Sequence, residues 1–409
     1  MRMKQVMQFV IMVFLMIGGL LQTVTAGEID RLVRELVKKG VIDPGKAQEI
    51  LTLTEQDIKK ELAKAEVETV PKWSQVVTLN GDFRLRNQWE EKDGSDPRMR
   101  ERIRFRLKGE AQVAQGFRVG FGLATGGNDP RSTNQTLENM FETKGVQLDY
   151  AYGMYTDPKY LTLIGGKFAN KISIWKPTDL LWDSDITLEG GAALLKHKTL
   201  YLNCGVYILD EKKKAGDPKL FVFQPGYKTV ISEKIDLQAA FSYYRFDGLK
   251  GLVPDHTKLT NSSVIDSVTG KATGQLIYDY TPLGLSVNLG VKNLVFPYVA
   301  VFTEYYQNPD PSNDNSAYTF GLLFGARKVK SKRQWQVKYL YRHLEKDAWP
   351  AFLPDSDSYS GNTGIQGHEL ILNYGLSKNV YLSLDYYNIE DIASKNSQHL
   401  FQTDLNFKF

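Results

Sequence analysis

Residues Arg98 to Val113 read R-M-R-E-R-I-R-F-R-L-K-G-E-A-Q-V, and their alternation limits the folds open to this chain. One set of alternate positions holds Arg98, Arg100, Arg102, Arg104, Arg106, Lys108 and Glu110. The other holds Met99, Glu101, Ile103, Phe105, Leu107, Gly109, Ala111 and Val113. A period of two is the side-chain period of a β-strand, so this strand has a cationic face and a mostly apolar face. In a soluble β-protein the apolar face would meet a core, and the row of cations would serve solubility alone. In a barrel that crosses a membrane the apolar face meets lipid and the charged face meets enclosed water. From Arg98 to Arg106 the strand covers about 27 Å at ~3.4 Å per residue, close to the ~30 Å of bilayer hydrocarbon. An arginine at the lipid midplane costs ~2–4 kcal/mol, so in a membrane these side chains must face inward. Glu101, on the apolar set, is expected near the outer rim.

The remaining composition narrows the class. Mean hydropathy is negative, which excludes a bundle of membrane helices but not a barrel, because half of each barrel strand is polar. The single cysteine, Cys204, excludes an intrachain disulfide and a cysteine-based zinc cluster. It alternates with Leu200, Leu202, Val206 and Ile208, and reads as a small lipid-facing residue. Residues 1–26 have a basic start (Arg2, Lys4), an apolar run from Val6 to Leu21 and small residues at Val24-Thr25-Ala26. That is the pattern of a secretory signal peptide, with cleavage expected after Ala26. From 27 to 70 the period is helical, with Ile29, Leu32, Val33, Leu36 and Val37 on one face, then Gly40, a turn at Asp43-Pro44-Gly45, and a second run through Ile50, Leu51, Ile58 and Leu62. So short a helical hairpin or coiled-coil segment buries little alone and must self-associate or dock.

From Val76 to the end, sixteen short alternating segments follow one another, the tenth spanning 275–290. The connections alternate between long ones, such as 126–145, 169–189, 248–274 and 346–366, and short ones of four residues or fewer, such as 114–116, 198 and 329–332. Membrane barrels have long outward loops and short inner turns. In the last strand Phe401, Thr403, Leu405, Phe407 and Phe409 share one face, opposite Gln402, Asp404, Asn406 and Lys408. The expected fold is therefore all-β, a 16-stranded antiparallel transmembrane barrel over residues 71–409, preceded by a short N-terminal α-helical segment.

The basic strand, the segment Gly166 to Ala192 (G-K-F-A-N-K-I-S-I-W-K-P-T-D-L-L-W-D-S-D-I-T-L-E-G-G-A) and the terminal aromatic resemble the bacterial "putative porin" family over most of residues 73–409. Leu36 to Ala47 is also similar to the start of phosphate-selective porins of the O/P type. The resemblance implies a sixteen-stranded diffusion channel in the outer membrane, with an aromatic-terminated strand ending at Phe409 that the barrel-assembly machinery reads. It also implies that the third outward loop folds into the barrel as a constriction. That loop carries Trp175, Asp179, Trp182, Asp183, Asp185 and Glu189.

The site expected from these readings is a cationic wall of Arg84, Arg86, Arg98, Arg100, Arg102, Arg104, Arg106 and Arg118, faced by the acids of the loop across a narrow aqueous path. Asp82, Glu110, Asp149 and Glu304 stand ready to neutralise part of it. Anion preference follows if they do not; phosphate or another oxyanion would need cations converging on one point. The expected partners are outer-membrane lipid, small hydrophilic solutes or anions, and, for the hairpin, a homotrimer or peptidoglycan. The five histidines lie beside no defensible serine nucleophile, and no nucleic-acid signature, metal site or cofactor motif is present, so the chain does not read as an enzyme. The spaced acids Asp310, Asp314, Asp355 and Asp357 of outer loops read either as weak Ca²⁺ ligands or as simply solvated. The rival from another class is a barrel with a blocked lumen acting as an adhesin or a membrane–wall tether.

Overall fold

The computed structural model describes residue 33 and residues 35–69, 76–213 and 216–409. The expected signal peptide and part of the first helix lie outside these. Within the amino-terminal unit, Gly40 (φ 69°) ends a helical turn with Gly40 N–H donating to Val37 O and Val41 N–H to Leu36 O, both at 3.0 Å. That pair of bonds is a Schellman closure, and glycine suits its left-handed position. Helix α1 (Pro44–Thr69) follows, with the Asp43 carboxylate accepting from Gly45 N–H at 2.7 Å. No described helix is long and apolar enough to cross a membrane. Residues 76–409 form a second unit.

That unit is a closed barrel of sixteen antiparallel strands. They are β1 (Val77–Lys92), β2 (Arg98–Ala114), β3 (Phe117–Thr125), β4 (Val146–Thr156), β5 (Leu161–Ala169), β6 (Thr187–His197), β7 (Leu200–Ile208) and β8 (Lys219–Ser232). Then come β9 (Ile235–Asp247), β10 (Leu283–Lys292), β11 (Tyr298–Gln307), β12 (Ser316–Gly325), β13 (Trp335–Leu344), β14 (Ile365–Ser377), β15 (Val380–Asp391) and β16 (Ser397–Lys408). Each pairs with its sequence neighbours, and β1 pairs with β16 from Asp82↔Lys408 to Lys92↔Gln398. Closure leaves no open edge, which is what lets a sheet sit in hydrocarbon with every ladder group paired.

Burial is inverted relative to a soluble barrel. On β16 the polar Gln402, Asp404 and Asn406 are 1%, 5% and 6% exposed, whereas Phe401 on the opposite face is 38% exposed. Leu85, Phe121, Leu163, Val206, Phe223 and Phe320 are exposed in the same way on the outward parity of their strands. Cys204 shares that face with Val206. Polar residues are inside and apolar ones outside, as a lipid-embedded tube requires. Glu101 is on the exposed face above the end of β3, accepting from Asn87 Nδ2 at 2.5 Å.

Several segment boundaries differ from expectation, and two of the differences bear on the outline. The tenth strand is Leu283–Lys292, because Pro282 has no N–H for the ladder, and the chain before it forms a separate loop hairpin, Ser263–Ile265 with Ala272–Leu276. The inner connection 326–334 is also longer than the outward connection 93–97, so length does not alternate strictly. Gln336 Nε2 caps the carbonyls of Ala326 and Arg327, and Gln334 Oε1 accepts from Lys330 and Ser331, which orders that longer turn without a ladder.

The seam has a direct test. Gly81 exchanges backbone bonds with Phe409 (2.8 and 3.1 Å), and a Cβ on Gly81 would lie 2.5 Å from Arg106 O and 2.6 Å from the Phe409 ring. Gly81→Val is expected to cost about 1–3 kcal/mol by overpacking. The check is heat modifiability in detergent gels, where the folded band should convert at a lower temperature than for the unchanged chain.

Candidate functional site: an arginine ladder crossed by two loops

The wall is built by register. β1 and β2 pair as Arg84↔Arg104, Arg86↔Arg102, Gln88↔Arg100 and Asp82↔Arg106, so the inward side chains of two strands interleave into one basic strip. Closure then sets Asp404 of β16 opposite Arg86. Asp404 takes a two-point bond from Arg86 (Nε–Oδ1 2.7 Å, Nη2–Oδ2 2.8 Å) and an ion pair from Arg84 at 3.3 Å. Asp82 accepts from Arg104 Nη2 (3.0 Å) and Arg106 Nε (3.0 Å). Arg100 pairs with Glu90 at 2.8 Å. Arg118 pairs with Glu110 at 3.0 Å near the inner end of β3, away from the rest. Fork-to-carboxylate bonds of this kind fix direction as well as charge.

Among the described residues, two arginines of the ladder are not neutralised. Arg102 donates to Gln88 Oε1 (3.2 Å) and Ser132 Oγ (3.5 Å) and has no carboxylate of the described residues within ion-pair distance. Arg98, exposed at the outer end of β2, has no ion pair among the described residues either.

The third outward loop, residues 170–186, crosses the lumen. The Trp175 backbone N–H donates to Gln224 Oε1 of β8 and its carbonyl accepts from Gln224 Nε2, at 2.8 Å each, and Thr178 gives its N–H and hydroxyl to Glu304 of β11 at 2.8 and 2.9 Å. Asp179 reaches Arg342 of β13 at 3.3 Å. Returning, Asp183 accepts from Asp185 N–H and Ser356 N–H at 2.8 Å each, and Asp185 binds Arg106 Nη1 at 3.1 Å and the Thr133 hydroxyl at 2.8 Å. The two acids differ in charge. Burial, then the negative Asp185 and Asp357, push the Asp183 carboxyl up to about 7. Burial opposes the charge of Asp185 as well, but Arg104 and Arg106 outweigh it and, with Thr133, hold that carboxyl down to about 2.

The strand boundary excludes Glu189 from this loop. It sits on the exposed face of β6 and pairs with Lys167 of β5 at 2.5 Å, because β6 begins at Thr187. Of the four expected neutralisers, Asp82 and Glu110 hold arginines. Glu304 instead anchors the loop, and Asp149 makes no ion pair among the described residues.

A second outward loop, 345–364, expected as a long connection, also folds into the lumen. Asp357 binds Arg86 Nη1 at 3.0 Å and Asp355 binds Arg342 Nη1 at 3.0 Å, so these two acids are lumenal and engaged, not solvated. Arg342, 2% exposed, holds Asp179, Asp355 and Glu369 together. Those three carboxylates approach each other closely enough to suggest a metal site, but the Arg342 guanidinium already stands among them. Between the loops Trp182 packs edge-on against Trp349 (ring centroids 5.5 Å apart) beside Tyr244 and Leu353, all buried. An apolar core thereby occupies part of the outer half of the barrel interior. Open space lies beside it: an outer cavity of about 440 Å³ against the ladder, and inner cavities of about 800 and 530 Å³ whose walls include Lys171, Lys196, Lys228, Lys292, Arg327 and Lys408.

A lipid-faced closed barrel with a polar interior and inward loops defines the class: a porin-type β-barrel of the bacterial outer membrane. The chain belongs to the family described as "Putative porin", whose model matches residues 89–276 and 272–409. No curated protein matches it. Among solved structures it is similar to Pseudomonas putida OprB at high pH (TM-score 0.54, 11% identity, covering 82% of this chain and 95% of that one). It also matches a triple mutant of the Rhodopseudomonas blastica porin (TM-score 0.47, 12% identity, 81% and 100% covered). At these identities the first likeness concerns the fold alone.

Arg342→Met leaves three carboxylates around an apolar side chain. Breaking a buried charge group in this way costs ~3–5 kcal/mol. The loops 170–186 and 345–364 should then be nicked faster by protease in folded barrels, with the barrel itself still resistant.

Proposed function

We propose that the protein is an outer-membrane porin through which small hydrophilic solutes diffuse passively, with a preference for anions. The observation that carries this is the pair Arg98 and Arg102, unneutralised among the described residues in a ladder whose other arginines are matched by carboxylates. A solute at ~8 Å from one such charge, with an effective dielectric of ~20, gains or loses about 2 kcal/mol by its sign, enough to bias a narrow path. In this reading Arg84, Arg86, Arg104 and Arg106 shape the lane with their partners, and Asp179, Asp183 and Asp185, with Trp175 and Trp182, hold the constriction loop against it. The lysine-lined inner cavities continue the positive potential. The signal peptide is removed after export, the barrel-assembly machinery takes the strand ending at Phe409, and the barrel works as a homotrimer, with the amino-terminal helices serving assembly or contact with peptidoglycan.

One observation favours a second reading. The apolar cluster of Trp182, Trp349 and Leu353 closes much of the outer half of the lumen, as an adhesin or wall tether with a blocked barrel would require.

Planar-bilayer recording in asymmetric salt separates the two. The porin reading expects discrete conductance steps and a reversal potential of anionic sign that moves toward zero in Arg98→Gln/Arg102→Gln. A cation-preferring channel indifferent to both substitutions contradicts the anion reading. Repeated incorporation without steps supports the tether.

A further inference from the structure

The outer cavity gathers cations from four separate stretches of chain. Lys92 ends β1, Arg98 and Arg102 lie on β2, Arg131 comes from residues 126–145, and Lys258 comes from residues 248–282. Arg131 is already committed, to Asp129 and to the carbonyl oxygens of Ala351, Gly361 and His256. So are most of the acids in the lining: Glu90 accepts from Arg100 and Gln398, and Asp357 from Arg86. Among the described residues, that leaves Lys92, Arg98, Arg102 and Lys258 without a carboxylate within ion-pair distance, against Asp96 as the lining carboxylate with no cation bound.

Free surface lysines would turn toward bulk water, but two of these cations are held in place. Lys92 Nζ sits 3.8 Å from the centroid of the Tyr359 ring, and Arg102 is held by Gln88 with its Nε buried and unbonded. Lys92 feels the like charge of Lys258 as well as the opposite charge of Glu90, and Arg102 feels Arg100, Arg86 and Arg98 as well as Asp357. Glu90 and Asp357 are already held by Arg100 and Arg86, so a bound anion relieves like-charge repulsion that these two carboxylates share out among several cations. The cavity, about 440 Å³, is far larger than a halide and falls in the ~300–1,000 Å³ range of small-molecule sites. Ser95, Ser132, Ser356 and Ser360 add hydroxyl groups to its wall.

We propose that this outer vestibule binds solutes carrying two or more anionic groups (carboxylates, phosphates or sulfates on one small molecule), with Arg98 and Arg102 taking one group and Lys92 and Lys258 another. The proposal rests on the anion-preferring reading of the channel and adds to it a solute class and a place where that solute halts. A monovalent anion meets one pair at a time and passes. A multivalent one bridges both pairs and stays longer.

The test uses the full chain in detergent and in bilayers, with pyrophosphate and citrate as probes. Isothermal titration should show sub-millimolar binding of both. The affinity should weaken by about tenfold in Lys92→Gln/Lys258→Gln and in Arg98→Gln. None of these three side chains has an ion pair to lose, so heat modifiability should stay unchanged and report that the barrel still folds. Vesicles of anionic lipid, offered in place of the soluble probes, should not compete; if they alone bind, the cavity reads membrane headgroups and the solute proposal is overturned. In bilayers, pyrophosphate added on the loop side should block chloride current at lower concentration than from the opposite side. An anion-preferring channel that neither binds nor is blocked by the probes overturns this inference alone. A cation-preferring or silent barrel overturns the channel reading, and the titration still decides the site.

Discussion

Closure of the sheet is the constraint on which the rest depends. In hydrocarbon an unpaired strand edge is prohibitive, so β16 must return to β1. That return carries Asp404 across more than three hundred residues of chain to Arg84 and Arg86, and it makes β1 the middle of a three-strand wall. Without the seam, the two buried guanidinium groups of Arg84 and Arg86 on β1 would lack the Asp404 carboxylate that helps make their burial tolerable. The charged strip is therefore a consequence of topology as much as of composition.

The two lumenal loops use the same chemistry at a second place. Arg342 on β13, four strands from β1 around the barrel, joins one acid from each loop to Glu369 of β14. Asp185 and Asp357, from the same two loops, reach back to Arg106 and Arg86. Each loop is thus tied at both walls, and Trp182, Trp349 and Leu353 fill the space between them. The apolar core that a soluble protein would place between sheets is here confined to the loop side of the tube interior. Polar cavities remain beside and beneath it.

The strands were legible in the sequence because a period of two needs no tertiary information. The alternation of Arg98 to Lys108 identified the inward face, and the outline of sixteen segments survives apart from the tenth, where Tyr278 and Tyr280 continue the pattern but Pro282 interrupts the ladder. The loop acids were harder. Asp179, Asp183 and Asp185 were marked by a family likeness, whereas Asp355 and Asp357 in D-S-D-S look like any solvated loop. Their partners, Arg342 and Arg86, are distant in sequence, and only the closed barrel brings them near. Arg342 lies in Y-L-Y-R-H-L, where a single inward arginine gives no hint that three carboxylates converge on it. Glu189 fell on the wrong side of a boundary because a three-residue error moves a loop end into a strand, where it meets Lys167 instead of the lumen.

The account stands or falls on which way the ladder faces. The most direct measurement places single cysteines at neighbouring positions of β2 in a Cys204→Ser background, Arg104→Cys in one chain and Phe105→Cys in another, and reacts the barrels in native membranes with a small anionic thiosulfonate that cannot enter lipid. The account predicts rapid labelling at position 104 and none at 105. Labelling at 105 with 104 protected would put the guanidinium groups on the outside and contradict it.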